Sequence, residues 1–243
     1  MVNPETDRFT TPLYNDREAA LYLGVPATTF ESWAKGYVRS FPGRPPVRGA
    51  PVLTRVAAHR RGDATIPFVG LAEGLVLAAI RRSGVALQRI RPALDLLQEE
   101  MGLEHALASR RLYTDGAEVL YDFAKTSPDS PAGQGARELV VVRNNQRVFN
   151  EVLESYLLRV EFAPDGYARV IHLPRYTGAE VIADPRRSFG QPIFARGGAR
   201  VEDVLGLFRS GESLSTVSKE FGVPAEHLED ALRVATSAGL AAA

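Results

Sequence analysis

The sequence contains no cysteine in its 243 residues. Since disulfides and thiolate metal sites both require cysteine, a disulfide framework and a cysteine-bound metal are excluded, and the chain suits a reducing compartment. An excess of charge is missing too, because 29 basic residues balance 29 acidic ones. Total charge therefore predicts no nucleic-acid or membrane partner, and any such partner must be argued from local charge.

Long hydrophobic runs are also lacking. The N-terminal segment MVNPETDRFTTPLYND has no apolar core of the kind that a signal peptide needs. The most apolar stretch, GLAEGLVLAAI, is too short to span a bilayer and is followed by Arg81 and Arg82. We therefore expect a soluble, cytoplasmic protein with no membrane partner. Its length suits one large domain or two small ones.

Patterns typical of enzymes are scarce. The histidines lie far apart, without the i, i+4 pairing of a zinc helix, and we expect surface or packing roles for His59, His105, His172 and His227. Gly133-Gln134-Gly135 lacks the third glycine of a phosphate-binding loop, and Glu99-Glu100 suits a solvated pair better than a catalytic dyad. We predict no enzyme, no catalytic residue, no metal and no cofactor, although a carboxylate site assembled from distant positions would leave no such pattern.

What the sequence does contain is the tetrapeptide GVPA twice, at 24–27 and at 222–225. Before the first copy, Asp16 and Glu18 indicate a helix start; Gly24 then supplies a tight turn, and Pro26 opens a second helix. The apolar stripe of that second helix has i, i+3, i+4, i+7 spacing and consists of Phe30, Trp33, Ala34 and Tyr37. This predicts a helix-turn-helix, although a helical hairpin with a glycine corner needs no nucleic acid.

A basic segment follows immediately. Between residues 35 and 61 there is no acid, and the cations are Lys35, Arg39, Arg44, Arg48, Arg55, Arg60 and Arg61. Binding to phosphates requires such local cation density, and the prolines of this segment would keep it extended as a wing beside a recognition helix. We predict that the DNA-binding residues are Thr28, Thr29, Ser32, Lys35, Arg39, Arg44 and Arg48.

The second GVPA repeats the apolar spacing with a different surface. Its stripe is Leu228, Ala231, Leu232 and Ala235. Its outward face is Glu226, Glu229, Asp230 and Arg233. DNA phosphates would repel such an acidic face. We expect it either to bind protein or simply to be solvated.

The segments between the two corners have their own patterns. PFVGLAEGLVLAAIRRSG and VALQRIRPALDLLQEEMG predict two helices separated at Gly84, and RRLYTDGAEVLYDF predicts a hairpin that turns at Asp115-Gly116. KTSPDSPAGQG has the composition of a linker, so we expect domains at 1–125 and 138–243, a linker at 126–137, and first proteolytic cleavage between Lys125 and Arg137.

The C-terminal half begins with a predicted strand, ELVVVR, and a predicted helix, NQRVFNEVLESYLL. RVEFAPDGYARVIHL then predicts a hairpin that turns around Pro164-Asp165-Gly166. The expected fold class is mainly α with small β hairpins (α+β), with two helix-turn-helix units of which the first is winged.

The order of these motifs resembles a known family. The C-terminal half is similar to the small helix-turn-helix domain of one class of VapB-type antitoxins, long catalogued as a domain of unknown function. The motifs that carry this similarity are Asp184-Pro185, Gly190-Gln191-Pro192, Gly211-Glu212-Ser213, Phe221-Gly222-Val223 and Ala231-Leu232. The front half resembles long members of that class, which begin with a MerR-like winged helix, through EAALYLGVP, Trp33 with Gly36-Tyr37, GVALQRIRPAL and Thr114-Asp115-Gly116.

The resemblance spans about the whole chain. It implies an antitoxin that holds a PIN-like ribonuclease toxin inactive and represses its own operon by binding operator DNA as a homo-oligomer. Two departures matter. At Glu31 MerR-like recognition helices usually carry arginine, so either the basic segment does most of the DNA binding or this unit has lost affinity. Residues 195–200 replace a Gly-Thr-Arg segment of shorter relatives, which puts toxin contacts carried over from them in doubt.

The expected toxin-binding residues are Arg196, Arg200, Glu226, Glu229 and Asp230. A PIN-like nuclease gathers carboxylates around a metal inside a basic rim. The three acids would cover that rim, and the two arginines would reach the carboxylates, unless they are ordinary loop charges. The hairpin at 159–173 is the next candidate for the toxin contact. The alternative function is a stand-alone MerR-like transcription regulator whose C-terminal domain senses a ligand or oligomerises.

Overall fold

The computed structural model describes residues 8–58, 60, 62–144 and 146–240, and only the backbone of Phe41, Arg143 and 237–240. The predicted positions His59 and Arg61 lie outside the described residues. The helices are α1 (Asp16–Leu23), α2 (Ala27–Lys35), α3 (Phe68–Arg82), α4 (Leu87–Met101), α5 (Arg110–Thr126), α6 (Pro131–Leu139), α7 (Glu151–Leu157), α8 (Val201–Arg209), α9 (Leu214–Phe221) and α10 (Ala225–Leu240). The strands are β1 (Tyr37–Phe41), β2 (Arg44–Gly49), β3 (Val140–Arg143), β4 (Gln146–Phe149), β5 (Val160–Phe162), β6 (Ala168–His172), β7 (Val181–Ala183) and β8 (Ile193–Phe194).

The predicted fold class is confirmed, since helices dominate and the strands form small antiparallel sheets. The first helix-turn-helix is also confirmed. The Asn15 side chain accepts hydrogen bonds from the backbone N–H groups of Arg17 and Glu18 at 3.0 Å, and Glu18 accepts one from the Asn15 N–H, which completes a capping box. Gly24 ends α1 with a φ of 65°.

The predicted extended arm is a hairpin instead. Strands β1 and β2 pair antiparallel, with Tyr37 opposite Gly49 and Val38 opposite Arg48. Pro45 and Pro46 both lie in β2, and a two-stranded sheet tolerates them because each strand is an edge. We call residues 37–49 the wing.

The central helix is α3, which is buried on every side from Phe68 to Ile80. A helix that is apolar all round belongs in the middle of a core. It contacts α1 of the first helix-turn-helix as well as α7 and β6 of the C-terminal half. The two helices predicted on either side of Gly84 are thereby confirmed as α3 and α4.

The hairpin predicted around Asp115-Gly116 is wrong, because this segment is the helix α5. Ser109 caps it by accepting the Leu112 N–H at 3.3 Å. Its buried residues have helical spacing and are Leu112, Gly116, Ala117, Leu120 and Ala124. Gly116 serves close packing rather than a turn, since a Cβ there would lie 2.8 Å from Leu112 Cδ1 and 3.1 Å from Phe149 Cζ.

The predicted linker at 126–137 is largely helical, which corrects the expectation of a flexible connection. Ser130 caps α6 by accepting the Gly133 N–H at 2.9 Å, and Pro131 occupies its first turn. The buried face of α6 is Ala132, Gly133, Gly135, Ala136 and Leu139, and it packs on α4 and α5. Small residues that suggested a linker thus allow close helix packing. Whether 1–125 and 138–243 fold independently stays a prediction.

The helix predicted at residues 145–158, of which residue 145 lies outside the described residues, is only partly correct. Residues Gln146–Phe149 form β4, paired with the expected strand β3, and the helix α7 begins after Asn150, whose side chain accepts the Leu153 N–H at 3.0 Å. The hairpin predicted around Pro164-Asp165-Gly166 is present as β5 and β6. It continues into an antiparallel sheet of order β5-β6-β7-β8.

The second GVPA corner joins α9 to α10, with Gly222 at a φ of 63°. Helix α8 packs against both. One cluster of buried apolar side chains runs from Tyr14 to Ala231 and therefore includes both halves of the chain. In the described part of the chain, no helix combines the length and apolar character needed to cross a bilayer.

Limited proteolysis tests the correction at 126–137. Because α6 is packed on one face whereas Arg39 and Arg48 of the wing are exposed, we expect trypsin to cut the wing before Lys125 or Arg137. Peptide mapping of the early fragments identifies the first site. First cleavage at Lys125 or Arg137 would contradict the packed helix and restore a flexible linker.

Candidate nucleic-acid and protein interfaces

The outward face of α2 carries small polar side chains. Thr28 is exposed in the first turn of the helix, whereas Thr29 and Ser32 are half-buried. The Ser32 hydroxyl donates a hydrogen bond to the Thr29 carbonyl at 2.7 Å, which leaves its oxygen available as an acceptor. Phe30, Trp33 and Ala34 fill the core behind this face. The three polar residues lie together, as a recognition helix requires.

Lys35 is less available than the sequence predicted. Its ammonium lies 2.8 Å from an Asp16 carboxylate oxygen and 2.6 Å from one of Glu31. The hydrogen bonds that Lys35 donates, first to Asp16 and then to Glu31, raise the pKa of Lys35. The charge that would attract a phosphate is therefore already paired at two carboxylates, one of which is Glu31.

The wing presents the other predicted cations. Arg39, Arg44 and Arg48 are exposed, and in the described part of the chain none of them pairs with a carboxylate. The Arg39 guanidinium lies over the Tyr37 ring, 5.0 Å from its centroid. This contact orients Arg39 without neutralising it.

Sequence reasoning missed two cations beside this wing. A groove of about 440 Å³ separates α2 and the wing from the start of α4, and its lining includes Arg39, Arg81 and Arg91 but no acid. Arg91 donates to the Ala50 carbonyl, while its Nε and Nη2 atoms are buried without a partner. The signal was present in the basic residues on both sides of Gly84, but only the fold brings them next to the wing.

The acidic face of the second corner is smaller than predicted. Glu226 and Glu229 are exposed, but Asp230 is only 3% exposed. Its carboxylate accepts the N–H groups of Gly178 and Ala179, both at 3.0 Å. The placement of Asp230 on the surface was therefore wrong, because this side chain holds the β6–β7 connection against α10.

The two predicted arginines lie on one loop. Gly197 and Gly198, with φ of 84° and 72°, turn the chain between them. Arg196 is exposed, whereas Arg200 lies 3.4 Å from Glu202 and 3.7 Å from Asp203. A Cβ on Gly197 would collide with the Phe221 carbonyl, so this loop lies against the end of α9.

A buried polar cluster links the segment after the wing to α3. Glu73 accepts hydrogen bonds from the Thr54 N–H at 2.6 Å and the Thr54 hydroxyl at 2.9 Å, and His105 Nδ1 lies 3.2 Å from it. His105 also packs on Phe9 at 5.2 Å between ring centroids, as a packing residue does. Within the described ranges, no three His, Cys, Asp or Glu side chains are grouped so as to hold a metal ion.

A wing of unpaired arginines beside a short polar helix defines a winged helix-turn-helix, here joined to a second helix-turn-helix. A family model described as "Putative DNA-binding HTH domain" matches residues 12–94, and one described as "Protein of unknown function (DUF433)" matches residues 181–235. The chain is 48% identical over 226 residues to "Putative antitoxin VapB45" of Mycobacterium tuberculosis, covering 93% of this chain and 94% of that protein. The chain belongs to the family of VapB antitoxins with a helix-turn-helix domain.

Two further relatives are also similar over most of the chain. The crystal structure of Rv2018 from Mycobacterium tuberculosis is similar at a TM-score of 0.81 and 46% identity, over 93% of this chain and 99% of that one. The chain is also 24% identical over 229 residues to "Uncharacterized protein Rv2308" of the same organism, over 89% of this chain and 90% of that protein. The similarity thus includes both helix-turn-helix units.

The reassignment of Asp230 makes a stability prediction. Asp230→Ala leaves the Gly178 and Ala179 N–H groups without their acceptor, so we expect a loss of about 2–4 kcal/mol in unfolding free energy. Glu229→Ala, one residue away on the exposed face, should change it by less than about 0.5 kcal/mol. Urea denaturation of both variants measures the difference. Equal changes in unfolding free energy for the two variants would contradict the buried, hydrogen-bonded role of Asp230.

Proposed function

We propose that this antitoxin binds and neutralises a PIN-like ribonuclease toxin of the VapC type and represses its own operon by binding operator DNA. It acts in the cytoplasm, as a homo-oligomer and not as an enzyme. The observation that carries the DNA half is the wing and groove: Arg39, Arg81 and Arg91 line the groove beside Thr29 and Ser32 of α2, and Arg44 and Arg48 are exposed on the wing. The toxin half is supported by family membership.

In the DNA complex, α2 enters the major groove and the wing follows the phosphates. Thr28, Thr29 and Ser32 meet base edges through hydroxyl groups, which donate and accept hydrogen bonds. Arg39, Arg44 and Arg48 bind phosphate oxygens and carry little sequence information. Two copies bound side by side would match the half-sites of a symmetric operator.

Glu31 has an electrostatic role in this proposal. It holds Lys35 at 2.6 Å and adds a negative charge to the face that approaches DNA. Affinity then rests on the arginines of the wing and groove rather than on α2. Glu31 therefore lowers the affinity of the unit without abolishing it.

On the toxin side, Glu226 and Glu229 face the basic rim of the nuclease, and Arg196 reaches toward its carboxylates. Arg200 contributes less than the sequence predicted, because Glu202 and Asp203 already compensate its charge. Asp230 contributes indirectly, by holding α10 in place.

One observation favours the alternative of a ligand-sensing regulator. A cleft of about 280 Å³ lies between α1, α8 and α10, and its lining includes Tyr22, Tyr176 and Arg200. A tyrosine hydroxyl is protonated and able to donate at neutral pH, and burial raises the pKa of Tyr176 further, to about 12. Copurification of the chain with a neighbouring nuclease separates the two functions, since a stand-alone regulator has no such partner.

The proposed DNA interface predicts substitutions with opposite effects. Replacing Arg39 and Arg48 together by alanine should weaken binding of operator and unrelated DNA alike and lower the log–log salt slope by about 0.9 for each lost phosphate contact. Glu31→Gln should strengthen binding, because it removes a negative charge and one of the two carboxylates that pair with Lys35. Thr28→Ala should instead change sequence preference. Fluorescence anisotropy on the full chain, as a function of salt, measures all three.

These outcomes have a matched control. Glu226→Gln removes the same charge as Glu31→Gln but at the second corner, and it should leave DNA affinity unchanged. If Glu226→Gln strengthens DNA binding while Glu31→Gln does not, the two corners have been assigned the wrong way round.

A further inference from the structure

The most unusual backbone in the described chain lies between β7 and β8. Ser188, Phe189 and Gly190 are consecutive residues with positive φ, at 48°, 53° and 75°. Bulky residues rarely adopt this left-handed region, and such strain persists only where the surrounding structure imposes it. Phe189 is moreover 85% exposed, more than any other large apolar residue of the described chain.

The surrounding structure does impose this turn. The buried Tyr14 hydroxyl donates a hydrogen bond to the Gly190 carbonyl at 2.7 Å. A Cβ on Gly190 would lie 2.6 Å from that hydroxyl oxygen and 2.9 Å from Leu13 Cδ1, so the backbone is pressed against the core. The turn is therefore rigid and directs the Phe189 ring into solvent.

Two exposed cations lie on the segments next to this turn. Arg187 precedes the turn, and its Nη2 atom would lie 2.9 Å from a Cβ on Gly198, which places it against the loop that carries Arg196. Arg187 and Arg196 are both exposed, and neither pairs with a carboxylate in the described part of the chain. Arg186 differs from them because it pairs with the buried Asp184 at 3.4 Å.

We propose that Phe189, together with Arg187 before it in the chain and Arg196 on the loop that Arg187 lies against, is the anchor through which this chain docks into an acid-lined cleft of a partner protein. This inference rests on the proposed function, in which the partner is the nuclease toxin. Aromatic and arginine side chains dominate the binding energy of protein interfaces. A preformed rigid turn loses little conformational entropy on binding, and unpaired guanidinium groups are complementary to carboxylates.

A protein partner fits this surface better than DNA does. Arg200, on the same loop as Arg196, is accompanied by the exposed acids Glu202 and Asp203, which DNA phosphates would repel. The same acids suit a nuclease that has a basic rim around its carboxylates. Phe189 enters the cleft, while Arg187 and Arg196 pair with its acids.

The test uses the full chain and the nuclease encoded beside it. Phe189→Gly removes the ring but accepts the left-handed backbone, so the thermal midpoint of the free chain should stay the same or rise. Toxin dissociation should be about thirty-fold faster or more, because hot-spot contacts act mainly on the dissociation rate. Leu158→Ala is the matched control, since Leu158 is 67% exposed on another element and should leave both values unchanged.

A second pair of variants tests the charges. Arg187→Ala should weaken the complex and reduce its dependence on salt, whereas Arg187→Lys should keep much of the salt dependence. If Phe189→Gly lowers the thermal midpoint and leaves toxin binding intact, the ring is structural and the proposal is overturned. If Phe189→Gly instead lost operator affinity and kept its toxin affinity, the turn would bind DNA and not the toxin.

Toxin binding by the chain and docking through the Phe189 turn can be contradicted by different results. If the unaltered chain binds and inhibits the nuclease but Phe189→Gly does so equally well, only the docking turn is wrong. If the unaltered chain binds no nuclease, the toxin half of the proposed function and the docking turn are both wrong. Surface plasmon resonance with immobilised nuclease, together with an RNA cleavage assay, distinguishes these results.

Discussion

The buried Tyr14 connects the first helix-turn-helix to the C-terminal half of the chain through hydrogen bonds. The Tyr14 backbone pairs with Ile66, its neighbour Asn15 caps α1, and its hydroxyl binds the Gly190 carbonyl. A tyrosine hydroxyl is protonated at neutral pH and can donate, and complete burial raises the pKa of Tyr14 well above its ordinary value. The start of the DNA-reading unit and the strained turn of the C-terminal half therefore share a single hydrogen-bonded support.

Both halves of the chain also share one large cluster of buried apolar side chains, which runs from Tyr14 to Ala231, and a small second cluster of Val170, Ile182 and Ile193 lies in the C-terminal sheet. Helix α3 is buried on every side because the first helix-turn-helix covers one face and α7 with β6 covers others. A free N-terminal unit would leave part of this apolar helix in water, at about 25 cal/mol for each Å² exposed. We therefore expect the hydrophobic effect to favour a fixed arrangement of the two corners over a pair of tethered domains.

Local rules in the sequence predicted the parts that local contacts determine. The helix start near Asp16, the turn at Gly24 and the two helices around Gly84 each depend on neighbouring residues, and all were predicted, although the cap itself is Asn15. The hairpin prediction at Asp115-Gly116 failed because Gly116 allows close packing against Phe149, a residue that is remote in sequence. The burial of Asp230 and the exposure of Phe189 also depend on distant partners, the 178–179 backbone and Tyr14, so periodicity gave no sign of either.

The duplicated corner shows how one fold serves different surfaces. Both corners use a left-handed glycine and the same apolar spacing, so their backbones are interchangeable in principle. Beside the first corner, the wing arginines are unpaired and lie next to a helix with exposed hydroxyl groups. In the second corner, Asp230 is buried and accepts hydrogen bonds from the 178–179 backbone, whereas Glu226 and Glu229 are exposed. With 29 charges of each sign, specificity for phosphates or proteins depends on where each charge is left unpaired.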